Sequence, residues 1–170
     1  MNAQTERARI AGPVGTIEIA IDHPADREAP VGVVVLSHPH PLFGGTMDNK
    51  VVQTMVRAFL QMGWRTVRHN FRGVGASEGT HDEGRGESED LLAVIAAHRL
   101  PGRPLALGGF SFGAYVTTLA AAQLEGDARA SRLLLVGPST QRALPADVPP
   151  DTVVIHGEAD ETVALANVME

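Results

Sequence analysis

Leu105-Ala106-Leu107-Gly108-Gly109-Phe110-Ser111-Phe112-Gly113 is the stretch from which the rest of the chain can be read. Its first four residues are apolar on both faces, as in a strand buried inside a parallel sheet. A helical pattern follows at once, from Phe112 to Glu125, rich in alanine and closed by Gly126. At the junction, Gly109-Phe110-Ser111-Phe112-Gly113 fits G-x-S-x-G, a sharp strand-to-helix turn that lifts a serine oxygen above a sheet. The five-residue pattern alone proves little; a buried strand before it and a helix after it give it weight. Glycine at both flanking positions relieves the crowding that such a turn creates.

The same alternation extends to either side. Short apolar runs at Val31–Leu36, Trp64–Asn70, Arg132–Val136 and Thr152–Ile155 end at or near Gly, Pro, Asn or Ser and predict further strands. Asp48–Met62 repeats apolar residues at helical spacing, with Gly63 as its stop. Ser88–Leu100 carries Glu89 and Asp90 in its first turn and is stopped by Pro101. Arg7–Ala11 and Gly15–Ile21, parted by Gly12-Pro13-Val14, predict an antiparallel hairpin at the sheet edge. Strands and helices in this order predict a single α/β domain, its mostly parallel sheet covered by helices on both faces.

Composition bounds the chemistry. The 170 residues are 44% hydrophobic and 20% charged, a globular balance, and 14 basic against 20 acidic residues leave a net charge of −6. A broad basic surface for a nucleic-acid backbone is therefore not expected. With no cysteine, disulfides, thiolate metal sites and a cysteine nucleophile are excluded, in keeping with a reducing cytoplasm. Met1–Ala20 lacks the apolar block of an export signal, and no apolar run approaches the ~20 residues that a bilayer requires. A soluble cytoplasmic protein without a membrane partner is expected. Gly73-Val74-Gly75 begins like a dinucleotide fingerprint, but residue 78 is Glu where the third glycine belongs. No phosphate-loop motif occurs either, and neither cofactor nor metal is expected. The acidic run from Glu78 to Asp90 lacks calcium-loop spacing and reads as a solvated loop entering a helix.

Three motifs now stand at the ends of successive strands. They are Ser37-His38-Pro39-His40-Pro41-Leu42-Phe43-Gly44-Gly45, Asn70-Phe71-Arg72-Gly73-Val74-Gly75-Ala76-Ser77, and the Gly109–Gly113 turn. Together they resemble the small, lidless bacterial α/β-hydrolases, similar to dienelactone hydrolases and short-chain serine esterases. The resemblance runs from about Gly15 to the end of the chain. It implies an eight-stranded sheet, a serine nucleophile at Ser111, an acid after the seventh strand and a histidine after the eighth. In such a site one oxyanion donor is the backbone N–H after the nucleophile, here that of Phe112. The other comes from the loop after the third strand, where Pro39 and Pro41 have no N–H to give. The N–H of His40 is the first choice and that of Leu42 the second, while the His38 and His40 imidazoles are expected to brace the loop. Val153–Val163 resembles the family's acid loop and places the acid at Asp160, with Glu158 and Glu161 as neighbouring carboxylates.

The departure from the family lies at the end, where only Glu161–Glu170 follow Asp160. The expectation is that the final strand, the final helix and the catalytic histidine of the family are missing from this chain. None of the seven histidines occupies the family position, although His69 and His81 flank the loop after the fourth strand and offer a substitute. The activity expected is hydrolysis of small ester or similar acyl substrates through an acyl-enzyme. The alternative is a hydrolase-like scaffold that binds without turnover. Only 15 residues separate Val136 from Thr152, too few for a helical lid, which favours small or accessible substrates.

Overall fold

The computed structural model describes residues 5–139 and 146–157. Seven strands lie among them: β1 (Glu6–Gly12), β2 (Gly15–Asp22), β3 (Val33–Ser37), β4 (Arg65–His69), β5 (Leu105–Phe110), β6 (Arg132–Val136) and β7 (Val153–Ile155). They form one sheet in the order β1-β2-β4-β3-β5-β6-β7. The β1–β2 hairpin is antiparallel and joins β4 antiparallel, whereas every pairing from β4 to β7 is parallel. Among the described residues, three helices, α1 (Lys50–Gln61), α2 (Arg85–His98) and α3 (Phe112–Ala122), supply the parallel crossovers from β3 through to β6.

Two cores follow from the period-2 alternation of the central strands. On β3, Val33 and Val35 pack with Leu91, Val94 and Ile95 of α2 and Val116 and Ala120 of α3. Val34 and Leu36 point the other way, onto Val52, Met55, Val56 and Phe59 of α1. Both faces of β3 are thus buried, which is why its sequence is apolar throughout rather than alternating.

Local chemistry sets the helix ends. Asn49 caps α1 by accepting from the Val51 N–H at 2.9 Å, and Gly63 (φ 82°) takes the left-handed conformation just past its end. The last turn of α3 tightens through the bonds Gln123 N–H to Ala120 O and Leu124 N–H to Ala121 O, both 3.1 Å, so the helix stops three residues short of the sequence expectation.

The start of α2 corrects the reading of the acidic run. The helix begins at Arg85 rather than Ser88, because the Glu87 carboxylate accepts from the backbone N–H of Asp82 (2.9 Å) and Gly84 (2.8 Å). Glu87 and Asp90 are buried, not solvated. Asp90 receives a bidentate pair from Arg72, at 2.8 Å on each oxygen, and the same guanidinium donates to Gly86 O at 2.7 Å. This clamp ties the loop after β4 to α2. Arg72→Leu should lower the unfolding free energy by about 3–5 kcal/mol, because it leaves a buried carboxylate unpaired. Adding Asp90→Leu should recover most of that loss, as read from urea unfolding; a double variant no better than the single one would refute the account.

Candidate functional site

Ser111 occupies the one-residue junction between β5 and α3 with φ 55° and ψ −117°. Among the described residues only Glu83 (φ 53°) is another non-glycine with positive φ. The turn closes so tightly that a Cβ on Gly109 would lie 2.3 Å from Gly113 O, and one on Gly113 2.4 Å from His38 O. These two contacts are the physical reason for glycine on each side of the serine. Backbone bonds then hold the turn, Ser111 N–H donating to Val136 O (2.9 Å) and its carbonyl accepting from Ala114 N–H (3.0 Å). Phe112 is the first residue of α3, so its N–H has no acceptor within the helix.

The His38–Gly45 loop folds back over this turn. A Cβ on Gly45 would meet Pro39 O at 2.1 Å, which shows how closely the loop closes on itself. His40 caps a short 3-10 turn, Pro41–Phe43, and its Nδ1 accepts from the Leu42 N–H at 3.3 Å. The second choice of oxyanion donor is thereby engaged within its own loop. The His40 ring lies 4.7 Å from Phe112, 4.8 Å from Phe43 and 5.0 Å from His81, centroid to centroid.

A cleft of about 240 Å³ is lined by His40, Leu42, Phe43, His81, Glu83, Phe112, Tyr115 and Ser139; Ser111 is not in its lining but adjoins it through Phe112, the next residue, and through Ser139, whose N–H donates to Ser111 O at 3.4 Å. Its walls come from the loops after β3, β4 and β6 and from the start of α3. All lie at the carboxyl ends of parallel strands, where open α/β sheets hold their ligands. Leu42 and Phe43 are 68% and 73% exposed and form an apolar lip. His81, Glu83, Tyr115 and Ser139 were not legible as partners, since they reach the cleft from three segments far apart in sequence. Only Glu87, three residues beyond Gly84, carried a local signal that the 81–84 loop is organised by a helix cap.

The remaining histidines near the site divide by burial. The His38 Nε2 accepts from Phe71 N–H at 3.0 Å, and its Nδ1 donates to Pro39 O at 2.7 Å. His69 Nε2 sits 3.1 Å from Ser37 Oγ in the sheet interior. His38 therefore braces the loop, as expected of its side chain, and His69 does not reach the cleft; His81 does. Burial lowers the His38 pKa to about 4, and burial, with His38 beside it, lowers that of His69 to about 3. In the unfolded chain both titrate near 6.5. Below that pH the unfolded chain binds protons that the native state refuses, so stability falls as pH falls, until the native groups titrate in turn. From pH 7 to pH 5 the loss should be about 2 kcal/mol per imidazole. Urea midpoints unchanged over that range would contradict the neutral assignment. Asp160 lies outside the described residues.

The chain is similar to known proteins along most of its length. The family model for serine aminopeptidase, S33, matches residues 28–163. A Xanthomonas campestris structure described as a member of the α/β serine hydrolases without lid is 38% identical, with a TM-score of 0.86, over 99% of this chain and 78% of that one. An α/β serine hydrolase homologue from Coxiella burnetii is 37% identical, with a TM-score of 0.83, over 96% of this chain and 79% of that one. An uncharacterized protein of Rickettsia prowazekii (strain Madrid E) is 38% identical over 108 residues, 62% of this chain and 44% of the relative. The chain thus spans less than half the length of that curated relative.

Proposed function

Because the chain belongs to the serine aminopeptidase S33 family of α/β serine hydrolases, we propose that it cleaves small ester or similar acyl substrates with Ser111 as nucleophile. The observation that carries this reading is the left-handed backbone of Ser111 at the strand-to-helix turn beside the cleft. Strain of this kind persists only where surrounding structure enforces it, and it clusters at active sites. Attack by Ser111 Oγ on the acyl carbon places negative charge on the carbonyl oxygen. The Phe112 N–H at the helix start and the His40 N–H of the adjoining loop are the proposed donors for that oxyanion. The adduct collapses by breaking the bond to the alcohol, which leaves with the proton taken from Ser111, and water then cleaves the acyl-enzyme to give the acid and restore the Ser111 hydroxyl.

A serine hydroxyl needs a base to become nucleophilic at neutral pH. Asp160 is proposed as the acid that orients a catalytic imidazole and stabilises it once protonated. The short connection between Val136 and Thr152 favours an open site and small substrates, and the lack of cysteine fits a cytoplasmic setting. The test is reaction of the purified protein with a fluorophosphonate probe, read by intact mass. Rapid addition of one probe, abolished by Ser111→Ala, supports the hydrolase. A protein that stays unlabelled, or one whose labelling survives Ser111→Ala, overturns the assignment and leaves a binding scaffold or another nucleophile.

A further inference from the structure

Loop 81–84 is built with more care than a solvated connection needs. Glu87, fully buried, accepts from the N–H groups of Asp82 and Gly84 on either side of Glu83. The strained Glu83 backbone is thereby pinned at both ends. The same carboxylate, through Oε1, lies 2.8 Å from His81 Nδ1, a charge contact that lacks hydrogen-bond alignment and leaves Nδ1 without a hydrogen-bond partner. A negative oxygen that close repels the electron density of an unprotonated Nδ1 and attracts an N–H dipole, which favours the tautomer with the proton on Nδ1. Nε2 is then the ring nitrogen left to the cleft that His81 lines. Gly84 completes the arrangement, since a Cβ there would strike the Tyr115 ring at 2.5 Å. The loop therefore packs directly on the residue that forms the neighbouring wall.

Resting on the assignment of Ser111 as nucleophile, we propose that Glu87 is a positioning residue and His81 a specificity-determining one, whose Nε2 hydrogen-bonds a hydroxyl on the acyl part of a short ester. The cleft lining divides by chemistry. Leu42, Phe43 and Phe112 are apolar, while His81, Tyr115 and Ser139 offer an imidazole and two hydroxyls. A volume of about 240 Å³ falls below the ~300–1,000 Å³ of pockets for larger ligands and suits a small acyl group. A substrate carboxylate would meet the Glu83 carboxylate on the same rim. A hydroxyl suits Nε2 in either state, donating to it when the ring is neutral and accepting from it when protonated.

The experiment compares p-nitrophenyl 3-hydroxybutyrate with p-nitrophenyl butyrate. Wild-type protein should prefer the hydroxylated ester by about tenfold in kcat/KM, the size of one good hydrogen bond. The ratio should fall to about one in His81→Phe and to an intermediate value in Glu87→Gln. The 15N signals of His81 should report a proton on Nδ1 in wild type and a mixture of tautomers in Glu87→Gln, a change that loss of stability alone does not produce. If Glu87→Gln does not fold, His81→Phe carries the comparison. Equal kcat/KM for the two esters in wild type, or a preference that survives His81→Phe, overturns the proposal and leaves Ser111 hydrolysis standing. Hydrolysis of neither ester counts against the hydrolase reading instead. Titration of Ser111→Ala protein with methyl 3-hydroxybutyrate and methyl butyrate then decides. A His81 Nε2 shift with the hydroxylated ester alone sustains the proposal, and any other result overturns it.

Discussion

Ser111→Ala is expected to lower turnover of a short ester by at least about 10³-fold while leaving the fold intact. The size follows from the proposed role, since removal of the oxygen that forms the acyl-enzyme leaves only binding and the oxyanion donors to act on the substrate. The same position allows a second, opposite measurement. A non-glycine residue at φ 55° costs on the order of 1–3 kcal/mol in backbone strain. Ser111→Gly relieves that strain at the price of a more flexible unfolded chain, so it should raise the unfolding free energy by about 1 kcal/mol. Ser111→Ala keeps a Cβ and should leave it unchanged within about 0.5 kcal/mol. Activity lost and stability gained in one variant would mark strain maintained for chemistry. A Ser111→Gly protein less stable than wild type would show that the turn is relaxed and that the backbone argument for Ser111 is wrong.

Gly113→Val is expected to destabilise the protein by more than about 4 kcal/mol or to prevent its folding. Gly113 has no unusual φ, so its requirement is for space alone. A Cβ there would lie 2.4 Å from His38 O, 2.5 Å from Ser37 O and 2.6 Å from Ser37 C. All three are backbone atoms at the end of β3, and Ser37 pairs in register with Gly109. They cannot retreat without opening the sheet beside the serine. Gly113→Ala should therefore carry most of the loss. Gly102 makes the useful contrast: it has φ 68° and open space around it, so Gly102→Ala should cost only about 1 kcal/mol, from the backbone conformation alone. Urea unfolding of the three variants separates contact from conformation. Near-native stability of Gly113→Ala would refute the close packing of the turn against β3.

What could be read in advance was whatever a few neighbouring residues decide. The doubly apolar run at Val33–Leu36 marked a strand covered on both faces, and Gly63 and Pro101 marked the places where helices end. The Gly-x-Ser-x-Gly turn was legible because five adjacent residues contain both the strained serine and the two glycines that make room for it. Where the reading failed, the cause was a contact made only on folding, with the distant Arg72 for Asp90 and with the nearby Asp82 and Gly84 N–H groups for Glu87. Glu87 and Asp90 looked solvated because they sit in an acidic run, yet both are buried, Asp90 paired with Arg72 and Glu87 with the 81–84 backbone. The α2 start moved for the same reason.

The sequence by itself thus determined the α/β class, the hairpin, the stops of the first two helices and the position of Ser111, since periodicity, capping and turn sterics act over a few residues. Tertiary structure alone decided that β4 lies between β2 and β3, that His81 rather than His69 reaches the cleft, and that Glu83, Tyr115 and Ser139 share its wall. Those outcomes depend on the order in which strands dock and on which loops that order brings to one end of the sheet. No local pattern encodes such distances, because the energies that set them arise only when segments far apart in the chain bury one another.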